Sequence, residues 1–501
     1  MPTLKPSAGA MALCSAALLF GCKSAPEPTP EPTPGPAKTA TVAAAPAVDP
    51  EPWRANPPPA GPEVEFRLPI PKEVKLKNGL TVLVAEVHGL PLVSYALAFR
   101  GGSALDPKGK AGLSSLAFGL LGEGTKKRDA LSFTNAITDL GASFGVSANQ
   151  DRGLLSISGL STHADAMLGL LAEATLSPRL DAKDFERLKA LQLGRLTAQR
   201  GTPDGLAFEV IPKMIYGADH PYGHPSGGLS ATVKGLGLAD VKGVLERTLA
   251  PGNAALIVTG DITPEVAQKL AEKHFGAWNK KAAPEIKIAS IEPRARTEIS
   301  FIDLPGAPQT MIALGRPVFG RGHADESAAT VVNEVFGGGG IATRLNLNLR
   351  EKNGYTYGAF STISARRGVG AFYAMAKVRA DATAASLTEL MNELERMDVM
   401  PPSAEELGRA KDGLVKGIPR QFEHLATMAG VASDLFVYQL PPSYYAELPQ
   451  RLRAVDEDTA AKLAKTYLAK AVMQIVLVGD AAAHKDAIEA LNLGKVVVEK
   501  P

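Results

Sequence analysis

The chain predicts an α+β fold built twice in tandem, each copy a largely antiparallel sheet with helices packed on one face. Three observations predict it. A strand-like run follows a proline near the start of each half: residues 92–99 after Pro91, and 310–314 after Pro308. These prolines are 308 − 91 = 217 residues apart. A second apolar run closes each half and ends in Gly-Asp, at Gly260-Asp261 and Gly479-Asp480; the aspartates are 480 − 261 = 219 apart. Landmarks that agree on nearly one period indicate duplication, with a period too long for a solenoid repeat. Finally, helix-periodic segments alternate with the strand runs, as in helices covering a sheet.

The elements follow in order. In the first half the opening strand ends at Gly101-Gly102, and residues 154–158 form a further short strand. Helical periodicity marks 165–174, 184–200 and 264–274, the last opening after Thr263, whose hydroxyl suits an N-cap. In the second half it marks 325–335, 380–397, 404–421 and 456–469. Between the copies, 280–293 contains Pro284 and ends on Pro293, and reads as a linker. The bodies are therefore 64–279 and 294–501.

Composition narrows the function classes. The 501 residues are 45% hydrophobic and 21% charged, which is globular, and a net charge of +2 gives no reason to expect nucleic acid as a partner. The 2 cysteines, Cys14 and Cys22, precede the folded bodies, so the bodies have neither disulfide nor cysteine nucleophile. No Ser-His-Asp or Cys-His arrangement stands out.

The N-terminus reads as a targeting segment. Lys5 precedes an apolar stretch, 8–20, too short to span a bilayer comfortably. It ends Leu19-Phe20-Gly21-Cys22, which resembles a bacterial lipobox. That resemblance implies removal of residues 1–21 and lipidation of Cys22. Lys23, where an aspartate commonly retains lipoproteins at the inner membrane, implies an outer-membrane protein facing the periplasm. An ordinary signal peptide with an incidental Cys22 is the other reading. Residues 22–63 then form a tether, because the prolines between Pro26 and Pro34 exclude helix and sheet.

One segment carries the strongest functional signal. Gly112-Leu113-Ser114-Ser115-Leu116-Ala117-Phe118-Gly119 continues to Gly124-Thr125. It resembles the zinc-binding helix of the pitrilysin/insulinase-type (inverted zincin) peptidases, which carries H-x-x-E-H between similar glycine, leucine and Gly-Thr bookends. Ser115 and Gly119 stand where that motif has its histidines, and Phe118 where it has its glutamate. The family's third ligand, a glutamate further along, falls in the stretch Leu193-Gly194-Arg195-Leu196, with Arg195 in place of a carboxylate. Positions i, i+3 and i+4 share one helix face, where the intact motif presents two imidazoles and a carboxylate. This face presents a hydroxyl, a phenyl ring and no side chain. Glu123 remains nearby, but one carboxylate does not make a zinc site.

A second segment, Leu349-Arg350-Glu351-Lys352-Asn353-Gly354-Tyr355-Thr356-Tyr357, resembles the family's L-R-E-K-x-G-x-x-Y stretch. The resemblance implies that Arg350 and Tyr357 reach a peptide and its developing oxyanion, for which a cation and a neutral hydroxyl are suitable donors. From the residues alone a structural reading also stands: Arg350 paired with Glu351 or a neighbouring helix, and Tyr357 as a half-buried strand aromatic.

Two further segments invite ligand readings. Phe336-Gly337-Gly338-Gly339-Gly340 lacks the Lys-Ser or Lys-Thr of a phosphate loop. It is a flexible break between helices or a substrate-sensing loop. His220 and His224 are four apart, but Pro221 and Gly223 between them disfavour a regular helix. A structural loop or a metal site are the two readings.

Together the resemblances imply a non-catalytic, substrate-binding subunit of a heterodimeric zinc metallopeptidase, lipid-anchored in the cell envelope. This chain would hold no cofactor. Zinc would lie in a homologous partner with intact H-x-x-E-H, the two chains closing as halves of a clamshell around a peptide. The alternative is a pseudoenzyme acting as a binding or scaffold protein of the envelope.

Overall fold

The computed structural model describes residues 51, 69–292, 294–468 and 472–501. The signal segment, Cys22 and, apart from Glu51, the tether lie outside the described residues. Among those described, twelve strands form two six-stranded sheets.

The first sheet contains β1 (Lys72–Lys75), β2 (Thr81–Glu86), β3 (Leu92–Arg100), β4 (Ser143–Ala148), β5 (Arg152–Leu160) and β6 (Ala254–Gly260). Their spatial order is β1-β2-β6-β3-β5-β4. The second contains β7 (Glu298–Asp303), β8 (Gln309–Phe319), β9 (Thr356–Ser364), β10 (Val369–Arg379), β11 (Gln474–Gly479) and β12 (Lys495–Glu499), in the order β12-β7-β11-β8-β10-β9. Leaving out the edge strands β1 and β12, the other five strands of each sheet repeat one topology. A parallel pair, β2 with β6 and β7 with β11, is followed by antiparallel neighbours. The duplication read from the proline and aspartate landmarks is therefore a duplication of sheets, with β3 and β8 as counterparts. Residues 279–292 between them carry neither helix nor strand.

Local chemistry sets the helix starts. The Asp181 carboxylate accepts from Lys183 N at 2.8 Å to begin Ala182–Arg200. Ser403 and Glu406 cap the helix Ala404–Gln421 reciprocally, at 3.3 and 2.9 Å, meeting two of its orphan N–H groups. Strand alternation sets the packing. Val82, Val93, Tyr95, Leu97, Leu256 and Val258 face the helices of the first half, while Leu83, Ala96, Ala98, Ala255 and Ile257 face the other way.

That other face is covered by the opposite half. The helix Leu425–Val437 sets Ala429, Ala432 and Leu435 on the far side of the first sheet. The helix Pro203–Tyr216 sets Leu206, Ile211 and Ile215 on the far side of the second, against Met311, Ala313, Tyr373 and Val476. Each half thus lends one helix to its counterpart, and the reading of helices on one face extends to a reciprocal exchange.

Where two hairpin turns meet, the seam between the halves is polar. Asp151, buried in the β4–β5 turn, accepts from the hydroxyls of Tyr222 and Tyr438, the latter at 3.1 Å. It also accepts from Arg367 N, in the β9–β10 turn, at 3.2 Å. The two equivalent hairpin turns therefore meet on one carboxylate. Beside it Arg152 pairs with Asp434 at 2.9 Å.

Candidate functional site

The helix Leu113–Leu121 begins after Gly112 without a side-chain cap of its own. Asp106 supplies the acceptor instead: Oδ1 takes Ser114 N at 2.9 Å and Oδ2 takes Gly112 N at 3.0 Å. The Ser114 hydroxyl lies 2.6 Å from Asp106 Oδ1. Burial pushes the Asp106 carboxyl up to about 6, against these hydrogen bonds, which hold it down.

The degenerate positions do not converge. Ser115 and Gly119 are half-exposed. Phe118 turns into the core, 2% exposed, with its ring 5.8 Å from that of Phe99. Arg195 is exposed on Ala182–Arg200. On that helix Leu188 lies beside Gly119, and the Gln192 amide donates to Gly227 O at 2.6 Å and to Gly112 O at 3.4 Å. Glu123 is held by Arg187. A zinc ion needs converging imidazole, thiolate or carboxylate donors, and this set does not fit one. Among the described residues no group of three or more His, Cys, Asp or Glu could hold a metal ion.

Arg350 and Tyr357 do come together. Arg350 lies on the turn Leu347–Lys352, which follows the short helix Arg344–Asn346 and is wound wider than an α-helix. Asn353 N donates five residues back, to Asn348 O, at 3.1 Å. Such π-turns cluster at functional sites. Tyr357 stands on the edge strand β9. The guanidinium carbon of Arg350 lies 5.2 Å from the centre of the Tyr357 ring, a cation–π contact worth about 0.5–1 kcal/mol at an exposed site. Arg350 also meets Glu351, at 3.4 Å. Tyr357 is 91% exposed, so the strand-aromatic reading fails for burial. Among the described residues no group hydrogen-bonds its hydroxyl. The pair presents a cation and a free phenol to solvent, side by side.

The turn is held from behind by residues that the motif does not include. Asn348 donates to Glu393, a 3%-exposed carboxylate on the helix Thr383–Val399, at 2.5 Å, and to Glu389 at 2.7 Å. Asn353 donates to Asn348 Oδ1 at 2.6 Å. The only sequence signal for this network is the asparagine density of Asn346, Asn348 and Asn353.

The other segments are structural or open. His220 uses both ring nitrogens: Nδ1 accepts from Tyr222 N at 3.0 Å, and Nε2 lies 3.1 Å from Ala289 O. Burial lowers the basicity of both His220 and His224. In the glycine run, Gly337 and Gly338 pack closely against Ser361 and Glu334, while Gly339 and Gly340 are exposed with open space around them.

Residues 81–220 match the family "Insulinase (Peptidase family M16)", and residues 236–414 match "Peptidase M16 inactive domain". An "Uncharacterized zinc protease" of Rickettsia felis is 24% identical over 403 residues, 80% of this chain and 96% of that protein. The "Non-peptidase homolog YmxG" of Helicobacter pylori is 21% identical over 375 residues, 74% of this chain and 85% of its own length. A crystal structure of a "peptidase M16 inactive domain" from Pseudomonas fluorescens superposes with a TM-score of 0.77 at 27% identity, covering 82% of this chain and 98% of that one. With two sheets of the M16 fold, a zinc helix without its ligands and an Arg-Tyr pair on the second half, the chain belongs to the M16, insulinase-type peptidase family.

Proposed function

We propose that this chain is the non-catalytic, substrate-binding subunit of a heterodimeric zinc metallopeptidase acting on peptides in the cell envelope. The observation that carries the reading is half of a split site. Arg350 and Tyr357 stand in contact, with Tyr357 91% exposed, while Phe118 occupies the core in place of a carboxylate. Zinc and its ligands would belong to a homologous partner with intact H-x-x-E-H. This chain's contribution is to orient a peptide and to donate hydrogen bonds, from the Arg350 guanidinium and the Tyr357 hydroxyl, to a carbonyl oxygen as it gains charge. A lipid on Cys22 would anchor the pair to a membrane, facing the periplasm.

Two experiments test it. The full chain is co-expressed with a homologous H-x-x-E-H subunit and assayed on a quenched fluorescent peptide. Activity that neither chain has alone supports the reading. Zinc bound stoichiometrically by this chain alone overturns it, and a partner rate indifferent to this chain overturns it in favour of a scaffold. Separately, Cys22→Ala should leave the membrane fraction, since each buried acyl methylene contributes about 0.8 kcal/mol. Retention after a salt wash would place the anchor elsewhere.

A further inference from the structure

The geometry points to Asn346 as the positioning residue for the Arg350–Tyr357 pair, an inference that rests on the function proposed above. Asn346 is 8% exposed, and its amide joins three segments. Nδ2 donates to Gly340 O, at the end of the glycine run, at 3.0 Å, and to Thr343 Oγ1 at 3.2 Å. Oδ1 accepts from Ala359 N at 2.8 Å. Arg350 follows four residues later on the continuing turn, so Asn346 sits one helical turn behind it. Ala359 lies two residues beyond Tyr357 on β9, across a register shift in the pairing with β10 that turns Tyr357 outward while Ala359 stays buried. One side chain therefore fixes the turn that carries the cation relative to the strand that carries the phenol.

The position on the sheet strengthens the assignment. β9 is an edge strand, whose outward N–H groups would otherwise be open to solvent or to another chain. Asn346 takes that of Ala359, and Gly337 O takes that of Ser361 at 2.6 Å. Asn333 closes the arrangement, donating to Ser361 O at 3.2 Å. The middle of the edge is sealed by the chain itself, and Tyr357 is left at the unsealed end. The glycine run supplies acceptors at both of its ends, Gly337 O and Gly340 O, and acts as the strap that this amide holds down.

The test uses the complex with an H-x-x-E-H partner. Asn346→Asp keeps the acceptor for Ala359 N and loses the donor to Gly340 O; Asn346→Ala loses both. Each should lower kcat on the order of 10- to 100-fold, with KM changed by less than about threefold and partner zinc unchanged, as expected for misplaced catalytic donors. In a Tyr357→Phe, Arg350→Ala background Asn346→Asp should cost less than about twofold, because it acts through those groups. Full additivity would mean a merely structural residue and would overturn the inference. So would a wild-type kcat for Asn346→Asp while Arg350→Ala and Tyr357→Phe are slow, an outcome that leaves the proposed function standing. Wild-type rates for Arg350→Ala and Tyr357→Phe would instead remove the proposed function, and this inference with it. Hydrogen exchange on the unmodified chain needs no variant: the Ala359 amide should be protected although its strand is at the edge, and rapid exchange there overturns the clamp.

Discussion

The ring of Phe118 rests on the backbone of Gly153. A Cβ placed on Gly153 would come within 1.9 Å of that ring, so β5 has a gap into which the phenyl fits. The residue at the expected glutamate position is thus a core residue. Phe118→Glu should destabilise the chain by roughly 3–5 kcal/mol or more, the usual cost of removing a buried Phe, before the cost of a buried carboxylate is added. Ser115→His, at a half-exposed position, should stay within about 0.5 kcal/mol. Denaturant midpoints would show the contrast. Equal effects would mean that Phe118 does not carry the core as described.

The seam offers a second test. Asp151→Ala leaves the Tyr438 hydroxyl and Arg367 N without their acceptor, while the Tyr222 hydroxyl keeps Arg367 O at 2.9 Å. Each buried group left unpaired costs about 1–3 kcal/mol, so a loss of at least about 2 kcal/mol is expected, with one cooperative transition. Two separate transitions would show that Asp151 couples the halves. An unchanged midpoint would show that it joins nothing of consequence.

Asp106 gives a pH test with a definite sign. Its carboxyl is raised to about 6 from 3.8, chiefly by burial. Between these values the folded chain binds more protons than the unfolded one, so this group's contribution falls as pH rises through that window. The slope cannot exceed about 1.4 kcal/mol per pH unit for one proton. Asp106→Asn removes the titration, so the stability difference between wild type and variant should change between pH 4 and about 6 and be flat above. A difference independent of pH across that window would refute the raised carboxyl.

What the sequence revealed and what it hid have physical causes. Amphipathic helices are legible: the periodicity over 404–421 coincides with the helix observed, which Ser403 and Glu406 cap. The two exchanged helices carry no such local signal. Leu425–Val437 packs on the sheet through alanines and shows little alternation of polar and apolar faces. Pro203–Tyr216 carries Pro212 in its interior, a residue that ordinarily argues against helix. Both are covered by contacts with the other half, which no local pattern encodes. At the site, the spacing of Arg350 and Tyr357 was legible because both belong to one short motif. Asn346 was not, because its role arises only when Gly340 and Ala359 are brought to it. Arg195, matched by counting along the chain, lies exposed, while Leu188 and Gln192 face the motif helix.

The last prediction separates function from stability at the Arg350–Tyr357 pair. Tyr357 is 91% exposed, and Arg350 has one exposed carboxylate neighbour at 3.4 Å. Their mutual contact is a surface cation–π interaction of about 0.5–1 kcal/mol. Tyr357→Phe keeps the ring and deletes a hydroxyl that bonds to no described group, so the melting curve should not move. Arg350→Ala should cost no more than about 1 kcal/mol. Turnover with the H-x-x-E-H partner should nevertheless fall by about 10²–10³ for each, the effect of removing one oxyanion donor. Arg350→Ala should also raise KM, because a guanidinium holds a peptide carbonyl before charge develops, whereas Tyr357→Phe should act mainly on kcat. Calorimetry and steady-state cleavage on the same preparations measure both. A variant that loses turnover only in proportion to its loss of stability would show the pair to be structural, since a residue 91% exposed has little packing to lose.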